Sequence, residues 1–93
     1  MHIEYTRHAE LKLKERRISK SEVNAIINDP DEILLDIETG NLVAVGNMKS
    51  RPEHKLIVVY SDGEIIKLIT IINTSKTDIV KTREENGRWV KIG

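Results

Sequence analysis

The chain has 93 residues, enough for one domain with a single core. Its 15 Lys and Arg balance 15 Asp and Glu, so the basic excess of a typical nucleic-acid binder is missing and only a segregated patch could hold phosphate. Cysteine is absent, which excludes disulfides and thiolate metal sites, and three aromatic residues offer few surfaces on which nucleobases could stack.

No apolar run approaches the length of a membrane span, and the N-terminus lacks the apolar segment of a signal peptide, so a cytoplasmic protein with no membrane partner is expected. Abundant Lys, Glu and Ile without Gln or Cys lean towards a heat-adapted, thermophile source.

In chain order, His2–Tyr5 reads as a short strand. Thr6 can cap the helix predicted over Arg7–Arg17, because its hydroxyl can accept a hydrogen bond from an orphan N–H. Ala9 and Leu13 share a face and are assigned to the core; Leu11 points to another side. Ser19 and Glu22 match a capping box, so a second helix starts at Lys20, with Val23, Ile26 and Ile27 as its buried stripe. Asn28-Asp29-Pro30 ends it. The spacing resembles helix-turn-helix, but the second helix carries Glu22 and apolar residues where base-reading side chains would stand, which argues against DNA recognition.

Charge is segregated between these helices. Residues 7–20 hold six basic residues and two acidic ones, whereas residues 22–38 hold six acidic residues and no basic one. The first helix is positive and its successor negative.

From Glu32 the pattern changes to strands. Ile33–Ile37 is followed by a turn at Thr39-Gly40-Asn41 and by Leu42–Val45. A polar loop, Asn47–Glu53, contains Pro52. Leu56–Tyr60 and Glu64–Ile72 flank Ser61-Asp62-Gly63, a hairpin signal, and both runs are apolar on both faces, which places them centrally in a sheet. Residues 73–78 read as loop. Asn86-Gly87 between Arg83-Glu84-Glu85 and Arg88-Trp89-Val90 reads as a last hairpin or an edge-strand addition. The result is a single α+β domain over residues 1–93, with two N-terminal helices packed on one face of a four- to five-stranded antiparallel sheet.

His8-Ala9, Lys12, Arg16, Ile18-Ser19, Val23 and the Asn28-Asp29-Pro30 helix end resemble the family called domain of unknown function 4258. Its members open with an aromatic-Thr-x-His-Ala segment and an Arg-x-x-x-Arg helix, continue with an Ile-Ser capped second helix, and carry a Thr near the end of a central strand, where Thr70 stands. The resemblance covers about two-thirds of the chain. Lys12 departs from it where the family commonly has Arg, and Arg17 where it often has Gly; after Asn73 the chain matches no part of the pattern. The family is similar in architecture to the RelE, ParE and BrnT toxin-like folds, several of which cleave RNA without metal. That similarity implies a RelE-like fold and an RNA-cleaving or RNA-binding site.

Metal-independent RNA cleavage needs a group to take the 2′-hydroxyl proton, a group to protonate the leaving oxygen, and cations for the charged phosphorane. On a helix His8, Lys12 and Arg16 fall at i, i+4 and i+8, along one stripe, and are the catalytic candidates. Arg17 turns about 100° away from Arg16. A solvated helix face explains the same stripe without chemistry. Arg7, Arg51, His54, Arg83 and Arg88 are the RNA-binding candidates: His54 is a loop histidine with Arg51 nearby, and Trp89 beside Arg88 and Arg83 either faces RNA or staples the last strand to the core. His2 is assigned no role. The histidines and carboxylates lack ligand spacing, so neither a metal nor a cofactor is expected.

Two functions fit. One is a toxin-like protein of a toxin–antitoxin system that binds RNA or the ribosome, acts as a metal-independent ribonuclease, and pairs with a small antitoxin protein. The other is a non-enzymatic interaction module, or an inactive toxin homologue, that pairs through an edge strand or the acidic second helix.

Overall fold

A computed structural model of the chain describes residues 2–75 and 78–93. In chain order the elements are β1 (Ile3–Tyr5), α1 (Arg7–Arg16), α2 (Lys20–Asn28), β2 (Glu32–Asp36), β3 (Leu42–Asn47), β4 (Lys55–Ser61), β5 (Ile66–Thr74), α3 (Asp78–Glu85) and β6 (Trp89–Lys91). The strands form one open sheet in the order β1-β5-β4-β3-β2-β6.

Both N-terminal helices begin where their caps predict. The Thr6 hydroxyl accepts from Ala9 N–H at 3.1 Å, and the Ser19 hydroxyl accepts from Glu22 N–H at 3.1 Å. Ala9 and Leu13 are buried and Leu11 is exposed. α1 stops at Arg17, whose φ of 55° is left-handed and whose N–H turns back to the carbonyls of Leu13 and Lys14.

Alternation along β3 and β4 divides the apolar residues between two faces. Ala44, Leu56, Val58 and Tyr60 join Ala9, Leu13, Val23 and Ile26 beneath α1 and α2. Val43, Val45, Ile57 and Val59 face the other way and join Leu34, Val80 and Trp89 beneath α3 and β6. At Gly46 a Cβ would stand 2.6 Å from Ile26 Cδ1, so the bare backbone is what lets α2 lie so close to β3.

The expected architecture is corrected in three respects. The sheet has six strands, not four to five, because β1 and β6 add themselves at its two edges. It is not wholly antiparallel: β1 runs parallel to β5, while the other pairs are antiparallel. The helices are not all N-terminal either, since Arg83-Glu84-Glu85, expected as a strand of a last hairpin, closes α3. Ile79 and Val80 pack on the second face of the sheet, and this burial gives the segment a helix that its residues do not announce. Of the expected loop 73–78, Asn73 and Thr74 belong to β5 and Asp78 to α3; Lys76 and Thr77 lie outside the described residues. The central placement of β4 and β5 is as the sequence indicates, with β4 between β5 and β3.

Candidate functional site

β1 pairs with β5 only opposite Ile66, Lys67 and Leu68. Past Tyr5 the chain turns into α1, and Thr6 closes the edge that the strand leaves. Its N–H donates to the Leu68 carbonyl at 3.2 Å and its hydroxyl donates to the Ile69 carbonyl at 3.2 Å. The cap of α1 is thereby tied to the strand on which the helix lies.

At this point β5 is irregular. Tyr60 pairs with Leu68 but Val59 pairs with Thr70, so Ile69 is an extra residue, a β-bulge. Leu68 and Ile71 consequently both face the α1/α2 core, while Ile69 and Ile72 face the other way. Thr70 is set at the sheet edge just beyond the end of β1, and His8 Nε2 lies 3.1 Å from its hydroxyl oxygen. When Nε2 carries the proton it donates to Thr70 and leaves Nδ1 as an acceptor; in the other tautomer the hydroxyl donates.

Thr70 also belongs to the wall of a cavity of about 240 Å³ on the α3 face, with Asn41, Arg83, Arg88 and Trp89 around it. A larger recess of about 580 Å³ shares Arg83 and Arg88 and adds Thr82 and Asn86. Arg88 is neutralised, with Nε 3.3 Å from both Asp36 and Glu38. Arg83 lies over the Trp89 ring, 5.0 Å from its centroid, and among the described residues it has no carboxylate partner. Trp89 itself is 3% exposed, so it staples β6 to the core and is closed to stacking with a base.

Asp36 holds this corner together from beneath. It is a buried acid whose carboxylate accepts from the N–H groups of Glu38 (3.0 Å) and Thr39 (3.3 Å), from the Trp89 indole (3.3 Å) and from Arg88. Burial pushes its carboxyl up, but these donors and the Arg88 charge together outweigh burial and hold it below the ordinary carboxylate value. Sequence reading missed Asp36. Its signal is a carboxylate two residues after Leu34, at an inward-facing position of β2.

The three catalytic candidates do not converge. His8 and Arg16 are about 12 Å apart along the axis of α1, too far to grip one phosphate. Lys12 is half-buried, 3.8 Å from Glu15. Arg16 is exposed at the last turn, and its carbonyl accepts from Arg51 Nη2 at 3.3 Å. His54 is half-buried, with Nδ1 2.9 Å from Asn73 Oδ1 on β5. Arg7 is exposed at the start of α1. The RNA-binding candidates are therefore scattered: Arg7 at the start of α1, Arg51 at its C-terminal end, His54 against β5, and Arg83 and Arg88 on the opposite face of the sheet. Among the described residues no three His, Cys, Asp or Glu side chains are grouped so as to hold a metal ion, and no helix is long and apolar enough to cross a membrane.

No curated protein matches the chain, and no solved structure matches it. A family model matches residues 5–83, which takes in the Thr6–His8 edge, the bulge at Ile69 and α3 as far as Arg83. The match runs past Asn73, where the sequence motifs end, and with most of the chain inside it the protein belongs to the family described as domain of unknown function (DUF4258).

Proposed function

We propose that this is a toxin-like RNA-binding domain of RelE-like architecture that cleaves RNA without a metal ion, with a small antitoxin protein as its partner. The observation that carries the reading is the contact between His8 and Thr70, the histidine and the threonine of the family pattern, 62 positions apart and joined at a β-bulge. Bulges of this kind re-aim side chains beside active sites.

His8 takes the proton of a 2′-hydroxyl, and the freed 2′-oxygen attacks the adjacent phosphorus. The bond to the 5′-oxygen breaks, the leaving oxygen takes a proton from water, His8 returns its proton to the hydroxide so formed, and a 2′,3′-cyclic phosphate remains. Thr70 orients the imidazole. Arg83, whose positive charge no carboxylate offsets among the described residues, stabilises the phosphorane from the wall that Thr70 shares. Lys12 and Arg16 steer the RNA backbone along α1 and take no part in the chemistry.

Purified protein is incubated with RNA and with programmed ribosomes in EDTA, as wild type, His8→Ala, Lys12→Ala and Arg83→Ala. Wild type is expected to cleave. His8→Ala should lose about 10²- to 10⁴-fold in rate, and Arg83→Ala about 10²- to 10³-fold. Lys12→Ala should weaken binding more than turnover. Absence of cleavage together with absence of salt-sensitive RNA binding would replace this reading with the interaction module.

A further inference from the structure

The recess of about 580 Å³ is far larger than one phosphate group and falls within the range of small-molecule sites, about 300–1,000 Å³. Helix α3 supplies one wall. Ile79, Thr82, Arg83 and Asn86 stand at i, i+3, i+4 and i+7, which is one helix face, and all four line the recess. The Asn86 N–H donates to the Thr82 carbonyl at 3.0 Å, which carries the helical spacing one residue past Glu85. The facing wall is Glu38, in the turn between β2 and β3, and Arg88, just ahead of β6.

These walls suit a nucleobase. Ile79 offers an apolar surface, and Arg83 offers a planar cation. The indole beneath Arg83 lines the smaller cavity only, so the recess meets the side of the guanidinium that Trp89 does not cover. Bases stack on such planes. At the rim Glu38 Oε2 lies 3.3 Å from Arg88 Nε. The carboxylate keeps lone pairs beyond that contact, and Arg88, which meets both Asp36 and Glu38 through Nε, keeps its Nη groups as donors. A pair of acceptors therefore stands directly beside a cationic donor.

Guanine carries the matching order on its pairing edge: two adjacent donors, N1–H and the 2-amino group, beside the O6 acceptor. Adenine and cytosine would set ring acceptors against the carboxylate, and uracil has one donor between two acceptors. We infer that the recess binds the guanine base of a nucleotide. Glu38 accepts from N1–H and the 2-amino group, Arg88 donates to O6, and the ring lies on Arg83. Because Asp36 and Glu38 offset Arg88 while no carboxylate among the described residues offsets Arg83, the surroundings stay attractive to the phosphate that accompanies the base. On the ribonuclease reading, on which this step rests, the guanine belongs to the residue beside the cleaved phosphate, since Arg83 borders both the recess and the cavity that Thr70 lines.

The test is titration of the purified protein with 5′-GMP, IMP and AMP, followed by the indole N–H resonance of Trp89, the one tryptophan of the chain. The ligands share ribose and phosphate and differ at the base edge. Wild type should bind GMP about 10- to 100-fold more tightly than AMP, with IMP, which lacks the 2-amino group, between them. Glu38→Gln turns one acceptor into a donor at an exposed position, and it should abolish the preference while AMP binding and the circular dichroism spectrum are kept. Equal binding of GMP and AMP, absence of binding, or a folded Glu38→Gln that retains the preference overturns the inference. A preference for GMP in a protein that cleaves no RNA would uphold this inference and remove the ribonuclease reading. Cleavage blind to sequence, with no preference among the nucleotides, would do the reverse.

Discussion

His8 is oriented by one hydrogen bond, and so little restraint makes its Thr70 partner sensitive to change. Thr70→Val keeps the shape of the side chain and removes the hydroxyl; the cleavage rate is expected to fall about 10- to 10²-fold while the thermal transition is unaltered. Arg17 presents the opposite case, a residue whose type conflicts with its place. At φ 55° its Cβ is crowded by the following carbonyl, and a glycine is free of that clash. Arg17→Gly should raise stability by about 1 kcal/mol in urea denaturation, since relief of strain exceeds the added freedom of the unfolded chain. Asp36 ties acid stability to a named group. Its folded-state pKa lies below the unfolded value, so its contribution is complete above the ordinary carboxylate range and is lost as pH falls below about 4. Asp36→Asn should cost about 1–3 kcal/mol near neutrality, because Arg88 loses its buried charged partner. It should also flatten the acid limb of a stability-against-pH curve.

Among the elements, α1 and β5 form one unit whose joint is Thr6. Its hydroxyl accepts from Ala9 and donates to Ile69, so Thr6→Ala removes a helix cap and a tie to the bulge together. The expected loss is about 1–2 kcal/mol by urea denaturation. Capping signals are local, and both N-terminal helices were therefore legible from Thr6, Ser19 and Pro30 alone. α3 was not. Ile79, Val80 and Thr82 are β-branched and Asn86-Gly87 imitates a hairpin turn, so the local pattern favours a strand. The apolar face of the sheet, built by residues far away in the chain, overrides it. The bulge at Ile69 escaped for a related reason: β5 has apolar residues on both faces, so their order does not fix the register, and only the pairing of β5 with β4 exposes the extra residue.

At the scale of the molecule, zero net charge conceals the segregation that matters for binding. On the proposed RNA-binding reading few cations face the strand at once, and salt should reveal how few. For single-stranded RNA the log–log slope of affinity against salt is about −0.7 for each phosphate neutralised, so two to three contacts predict a slope between about −1.4 and −2.1. Arg83→Ala should make it shallower by about one contact, measured by titration at several salt concentrations. Two layers cover the sheet, α1 and α2 on one face and α3 on the other, and the sites divide between them. Arg51 stands at the end of α1 with His54 against Asn73 of β5, and Arg83 belongs to α3 with Arg88 beside it.

By itself the sequence determined what is encoded over short distances. The two capped helices, the central apolar strands and their hairpin, the core face of α1 and the positive-then-negative charge order all follow from neighbouring residues, through hydrogen-bond caps and the periods of helix and strand. Tertiary structure alone decided which distant residues meet. Thr70 against His8, Asp36 beneath Arg88 and Trp89, the helical state of Asp78–Glu85 and the parallel pairing of β1 depend on burial and register between segments tens of residues apart. Those are sums over the whole chain, and no window of sequence contains them.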